Sequence, residues 1–595
     1  MPSGDATDAG QSAVPAGLPC ETYVSRAGGW RAAASTTHSI GGWGVSQSVV
    51  ERDSAPINAF GRLLVHAAHC WPAREAIIFP GRSQTFAELH ERSLWRARQL
   101  IALGVQPGEH VGILLPTSFE FVEVMFGIAL AGAVMVPINA RYRGSEIAYL
   151  TENADLVSIV TTGQVADGVN FVERLGEGLP GMASSANALA LALPATPRLR
   201  NVLLLGDEQA QGLVPEADVD ALAAAVANIE IERRTAAVSD DALAVILYTS
   251  GTTSNPKGCM ISGRSIIGNG RSMAAAYRMT DKDRFWSPLP MFHIAATFPI
   301  CACFDVGSAY VTMGYFDAGV ALKLLEESRA TINYACFVTI IGDLINHPNF
   351  AATDLSAVRL MNSSLALQPP GFAARLKQAM PQCIQVGTYG LSEASGSVTT
   401  SPVDSSEHLR LTRLGSPMPG QEVKIVDIET GVELPIGERG EICVRGVNVL
   451  MGYYRDAEKT AQTLRDGWLH TGDTGSLDEH GTIMFHGRFK DMLKVGGENV
   501  AAAEIEALLQ QHPAVKLAQV VGVPDARLVE VPAAFVQLEP GMSVTEEELI
   551  RACKGQIASF KIPRHVRFVD SWPMSTSKIQ KFKLQKELIA ELAAQ

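Results

Sequence analysis

The sequence predicts an α/β protein of two unequal domains, and three observations predict it. The chain has 595 residues, more than one hydrophobic core usually supports. From Ala59 onward, apolar runs of strand length alternate with helical stretches. That pattern belongs to a parallel sheet with helices on both faces. Near residue 488 the composition changes, and the residues beyond it read as a compact α+β unit. The expected boundaries are a disordered tail over 1–55, a large domain of layered sheets and helices over 56–489, and a small mobile domain over 490–595.

The elements follow in order. The first 55 residues are rich in Ala, Gly and Ser and lack sustained periodicity, so they bury too little apolar surface to offset their ordering entropy. Thr85 and Glu88 have capping-box spacing and open a helix that stops near Gly104. Val111–Pro116 reads as a buried strand, Phe119–Ala131 as a helix and Val134–Ile138 as a strand. Residues 163–215 read as a looser excursion. Leu243–Tyr248 (LAVILY) has the length and content of a buried strand. In the small domain, Ala502–Gln511 and Val544–Ile557 read as helices, Leu517–Val523 and Ala533–Leu538 as strands. No internal repeat is present.

Composition narrows the function. Net charge is −13 and hydrophobic residues make up 47%. Nucleic acid and anionic membrane surfaces are therefore not expected partners. The nine cysteines include no CxxC pair, which suits reduced thiols in a cytoplasmic protein rather than a zinc site or disulfide framework. Cys301 and Cys303 read as core positions. The N-terminus lacks the basic and apolar parts of a secretory signal, and the longest apolar run, Phe126–Ile138, is too short to span a bilayer.

The chemistry-bearing segments come next. Thr249–Gly258 (TSGTTSNPKG) follows a predicted strand and gathers hydroxyls, glycines and one cation, Lys257. Such a loop can cradle a polyphosphate, or serve as a flexible linker. It is not the P-loop of NTPases, where Gly-Lys precedes Ser or Thr. Here the order is Lys257-Gly258, and Cys259 follows. Four later segments accompany it in order: TYGLSE (Thr388–Glu393), WLHTGD (Trp468–Asp473), GRFKDMLKVGGENV (Gly487–Val500) and PMSTSKIQKFKL (Pro573–Leu584).

Together these five segments resemble the signatures of the adenylate-forming enzymes: acyl- and aryl-CoA synthetases, firefly luciferase and peptide-synthetase adenylation domains. The resemblance covers about residues 58–590. It implies that Thr249, Ser250, Gly251, Thr252, Thr253 and Lys257 hold phosphates. It implies that Tyr389 stacks on adenine, Ser392 contacts the α-phosphate and Glu393 holds Mg²⁺. By the same resemblance Asp473 accepts from the ribose hydroxyls, Arg488 contacts ribose and phosphate, and Lys490 is the hinge. Gly496 and Gly497 would admit the pantetheine arm of CoA. Lys578 would bridge the carboxylate substrate and the α-phosphate, with Ser577 where the family has Gly. His293 falls at the family's gating position, where amino-acid-activating relatives carry Asp. Asn333–Ile341 would line the acyl pocket, and Arg359–Leu367 would form the adenine-side loop.

The implied reaction takes ATP, Mg²⁺ and coenzyme A. A small-molecule carboxylic acid becomes acyl-AMP with loss of pyrophosphate, then a CoA thioester with loss of AMP. A carrier-protein thiol or another acceptor is the alternative to CoA, and a catalytically inert nucleotide-binding regulator is a third reading. Lys257, Glu393, Asp473 and Lys578 together disfavour the regulator. Only His293 can carry charge within Met291–Phe304 and Tyr334–Ile341, so the acid is expected to be apolar away from its carboxylate. Its chain length and ring content are not fixed by the sequence. The oligomeric state is open, with a homodimer among the alternatives.

Overall fold

The computed structural model describes residue 57 and residues 59–164, 168–249, 256–363, 372–488, 492–495, 498–525, 527–575 and 578–594. The expected tail over 1–55 lies outside them. Among the described residues the large domain holds two principal sheets. One has the strand order Gly452–Tyr453, Lys257–Ser262, Leu243–Thr249, Val134–Pro137, His110–Leu114, Leu156–Thr162, Asn201–Leu205, Val214–Pro215. From Leu243–Thr249 outward to Val214–Pro215 its pairs are parallel. The other runs from Ile384–Val386 through Leu360–Asn362, Ile332–Asn333, Arg284–Trp286 and Ala309–Val311 to Glu75–Phe79 and Arg82–Thr85. Only its last pair is antiparallel.

The local causes are those the sequence carries. Thr85 and Glu88 form the reciprocal capping box of the helix Phe86–Ala102. Ser118 accepts from the amide of Phe121 and starts the helix Phe119–Leu130, whose apolar residues are buried nearly all round. The strand Leu243–Thr249 precedes the hydroxyl-rich segment in sequence, and the chain returns antiparallel as Lys257–Ser262, with Thr249 opposite Lys257.

Two expectations are corrected. Residues 163–215 are not a loose excursion throughout. Phe171–Gly178 is a helix, and Asn201–Leu205 is a fully buried strand that extends the sheet beside Leu156–Thr162. Its signal, the run NVLLL, is short and is preceded by a long irregular stretch, which masked it. The helix expected over Val544–Ile557 is shorter, Glu546–Cys553, because Thr545 and Glu548 form a capping box that fixes its start. Cys301 and Cys303 are fully buried, as expected.

Smaller sheets build the site. Thr388–Leu391, Gly396–Thr400 and Ser416–Pro417 form an antiparallel three-stranded sheet. Gly440–Gly446, Trp468–Leu477 and Ile483–Arg488 form part of another. In the small domain, Val515–Asp525 pairs with Val529–Leu538 in a long hairpin. One face of this sheet packs Ile505, Leu509, Leu549 and Cys553; the other packs Leu584 and Leu588 of the C-terminal helix Lys581–Ala594. No helix among the described residues is long and apolar enough to cross a membrane.

Candidate active site

Two short hydrogen-bonded clusters carry the expected nucleotide residues. The first joins Lys257, Tyr453 and Glu393. Lys257 opens the return strand of the Leu243–Ser262 hairpin, and Tyr453 pairs with that strand opposite Cys259. Glu393 lies in the single 3₁₀ turn Ser392–Ala394, after the strand Thr388–Leu391. The Tyr453 hydroxyl donates to Glu393 Oε1 at 3.0 Å. Lys257 Nζ lies 5.9 Å from the centroid of the same ring, within cation–π reach. The amide of Leu450 donates to the Glu393 carbonyl at 2.9 Å, which ties the turn to the Tyr453 segment. Burial, then the Glu393 carboxylate, hold the Tyr453 phenol far above its ordinary pKa, so it stays a donor.

The turn needs its glycines. A Cβ on Gly390 would sit 2.2 Å from the Gly396 carbonyl oxygen, and Gly396 has φ +119° with its own Cβ position 2.5 Å from the Phe298 ring. Side chains at either place would push apart the hairpin that presents Ser392 and Glu393.

The second cluster joins Tyr389, Asp473 and Arg488. Asp473 sits in the strand Trp468–Leu477 and pairs directly with Arg488 on the next strand. The Tyr389 hydroxyl donates to Asp473 Oδ2 at 2.8 Å, and Arg488 Nε lies 3.3 Å from Oδ1. Tyr389 and Asp473 are each 5% exposed. A carboxylate that deep requires such partners, and it offers about four acceptor directions, enough to serve a phenol and a diol together. Burial, then the Asp473 carboxylate, hold the Tyr389 phenol far above its ordinary pKa. Gly472, at φ +70°, makes the corner before Asp473, and its amide donates to Glu441 Oε1 at 2.9 Å.

The expected acyl-side segments meet the same hairpin. His293 is the N-cap residue of the helix Ile294–Val306 and is half-buried. Phe298 of that helix abuts Gly396 and makes an edge contact with Tyr334, ring centroids 6.3 Å apart. The hydroxyls of Tyr334 and Ser397 lie 3.3 Å apart. Cys336 holds a left-handed backbone, φ +61°, and Val338–Asn346 forms a helix.

The described residues therefore include Thr249, Lys257, His293, Tyr389, Ser392, Glu393, Asp473 and Arg488 with their side chains. Ser250, Gly251, Thr252, Thr253, the hinge Lys490, Gly496 and Gly497 lie outside them. Lys578 is placed by its backbone in a two-residue strand opposite Met574–Ser575. Of the expected adenine-side loop, Leu360–Asn362 is a buried strand, Ser363 is buried, and the rest lies outside the described residues. Tyr453 was missed. Its sequence signal, GYY at Gly452–Tyr454, is too short to stand apart from ordinary edge-strand composition.

The chain is similar to known proteins along most of its length. Residues 64–454 match the AMP-binding enzyme family, and residues 504–578 match the AMP-binding enzyme C-terminal domain. The chain is 36% identical to the Bacillus subtilis protein YngI over 543 residues, covering 89% of this chain and 97% of that one. It is 31% identical to the mitochondrial medium-chain acyl-CoA ligase ACSF2 of Danio rerio over 532 residues, 88% of this chain and 87% of that one. Among solved structures, the anthranilate CoA ligase AuaEII in complex with anthranoyl-AMP superposes with a TM-score of 0.76 at 25% identity. That match covers 90% of this chain and 98% of the other. The chain belongs to the AMP-binding enzyme family and, within it, to the AMP-forming acyl-CoA ligases, which use ATP, CoA and a small-molecule acid.

Proposed function

We propose that the enzyme activates an apolar monocarboxylic acid, with the nucleotide held by the two clusters and the acid lying beside the Gly390–Gly396 hairpin. The observation that carries this is the convergence of two apolar segments on that hairpin, Phe298 against Gly396 and Tyr334 against Ser397. Between Met291 and Phe304 and between Tyr334 and Ile341, His293 is the only residue able to carry charge. A second charge on the substrate would be buried unpaired, at a cost of several kcal/mol. The name of the relative ACSF2, a medium-chain acyl-CoA ligase, supports the same class.

In this reading Asp473 accepts from the ribose hydroxyls while Tyr389 and Arg488 hold its carboxylate in place. Lys257, the phosphate loop before it and Lys578 neutralise charge as the acid's carboxylate oxygen attacks the α-phosphorus and pyrophosphate leaves. The CoA sulfur then attacks the acyl carbonyl, and AMP leaves with the electron pair of the broken anhydride bond. Glu393 fits Mg²⁺: it is a hard oxygen donor, and among the described residues only its Oε1 is hydrogen-bonded. Bound there, Mg²⁺ would offset the charge of the phosphates. Lys490 serves as the pivot that brings Lys578, then Gly496 and Gly497, to one site in a cytoplasmic enzyme.

A pyrophosphate-release screen over a panel of acids tests the proposal. Aliphatic, alicyclic or aromatic monoacids should outcompete amino acids and dicarboxylates. A clear preference for an amino acid or a diacid would overturn it.

A further inference from the structure

Glu441, Cys443 and His470 bring three different metal-ligand atoms within 4.8 Å of one another. Glu441 and Cys443 lie on the strand Gly440–Gly446, where the register shifts between them, and Cys443 pairs with His470 on the neighbouring strand. Residues two apart on a strand share a face, and both Glu441 and Cys443 contact that histidine. Cys443 Sγ is 3.4 Å from His470 Nδ1, and His470 Nδ1 is 2.7 Å from Glu441 Oε2. Cys443 is fully buried, and the Glu441 and His470 side chains are 12% and 11% exposed.

We propose that these three residues form a binding site for a borderline-soft divalent cation of the zinc class, separate from Glu393. Bond lengths of about 2.3 Å to sulfur and 2.0 Å to nitrogen and oxygen set ligand spacings of about 3.5 and 3.3 Å in a tetrahedral site. The sulfur–nitrogen edge already has that length. The nitrogen–oxygen edge must open by about half an ångström. The ion takes the place of the proton between those atoms, which leaves Nδ1 while Nε2 takes one up from solvent, so His470 stays neutral. Cys443 gives its thiol proton to solvent and the metal–sulfur bond forms. A carboxylate and a thiolate then match the charge of a divalent cation, and water completes the shell.

The donor set separates this site from one for Mg²⁺, which prefers oxygen ligands and retains water. The pair Cys70 and His66, with sulfur 3.6 Å from Nε2, has no third ligand among the described residues. Arg465 Nη2, 3.5 Å from Glu441 Oε2, weakens binding of a cation. The Glu441 carboxylate also accepts the Gly472 amide beside Asp473.

The test is a titration of the full-length, chelator-stripped protein with Co²⁺. One equivalent should produce a thiolate-to-cobalt charge-transfer band, removed by Zn²⁺ and unaffected by excess Mg²⁺. Cys443→Ser should abolish that band and weaken binding by about tenfold or more, with an unchanged melting temperature. Should Cys443→Ser fail to fold, His470→Asn is expected to lose the tetrahedral cobalt spectrum instead. A wild-type protein with no charge-transfer band, or a band undiminished in Cys443→Ser, would overturn the proposal.

Discussion

Tyr453→Phe removes one hydroxyl and nothing else. The ring stays to pack beside Lys257, and the backbone pairing with Cys259 is untouched. What is lost is the 3.0 Å bond to Glu393 Oε1. A hydrogen bond to a charged group contributes about 1.5–3 kcal/mol, or roughly ten- to a hundredfold in an equilibrium constant. Loss of the partner that orients a metal-binding carboxylate typically costs the same range. The Mg²⁺ concentration for half-maximal adenylation should therefore rise about tenfold or more, while kcat at saturating Mg²⁺ falls only a few-fold. Mn²⁺ binding in the presence of ATP, followed by paramagnetic resonance, should weaken in parallel. A general loosening of the fold would instead lower kcat and Tm with no change in metal dependence. An unaltered half-saturation point for Mg²⁺ and Mn²⁺ would refute the role given to Tyr453.

Three further outcomes follow from the same geometry. Lys257→Ala should lower kcat/KM for ATP by about 10²-fold with an unchanged melting temperature. Tyr389→Phe leaves the buried Asp473 carboxylate short of a donor, at about 1–3 kcal/mol; KM for ATP should rise, and discrimination against 2′-deoxy-ATP should shrink. Asp283 is buried and accepts from Arg359 at 2.8 and 3.0 Å and from Thr331 at 2.7 Å. Burial raises its pKa, but these bonds outweigh it and hold it below the ordinary value. Its stabilisation is thus present above the unfolded pKa of about 3.9 and lost as pH falls through the lower folded value. Asp283→Asn should destabilise the large domain at neutral pH by about 3 kcal/mol, seen as a lower Tm. The gap to wild type should close in strong acid.

The parts of the fold legible in the sequence were those whose signal is local. The capping box at Thr85 and Glu88, the apolar strand Leu243–Thr249 and the helix Phe119–Leu130 each carry their cause within a few residues. The strand Asn201–Leu205 was not legible, since its five residues gain strand character from burial beside Leu156–Thr162 rather than from alternation. At the site, Asp473 and Glu393 could be picked out because their motifs are spaced like those of a family. Tyr453 could not, since its meaning lies in a contact across 60 positions of sequence. The cluster of Glu441, Cys443 and His470 is of the same kind: a strand pairing brings His470 to residues 27 and 29 positions earlier.

Trapping the two steps separately tests the account most directly. The protein, Mg²⁺, ATP and the preferred acid, mixed without CoA, should accumulate enzyme-bound acyl-AMP detectable by mass spectrometry, with one pyrophosphate released per acyl-AMP. Addition of CoA should convert it to thioester and AMP in equal amounts. Lys578→Ala should block the first step yet still turn supplied acyl-AMP and CoA into thioester. Formation of ADP in place of AMP, or thioester formation without an acyl-AMP stage, would contradict the account.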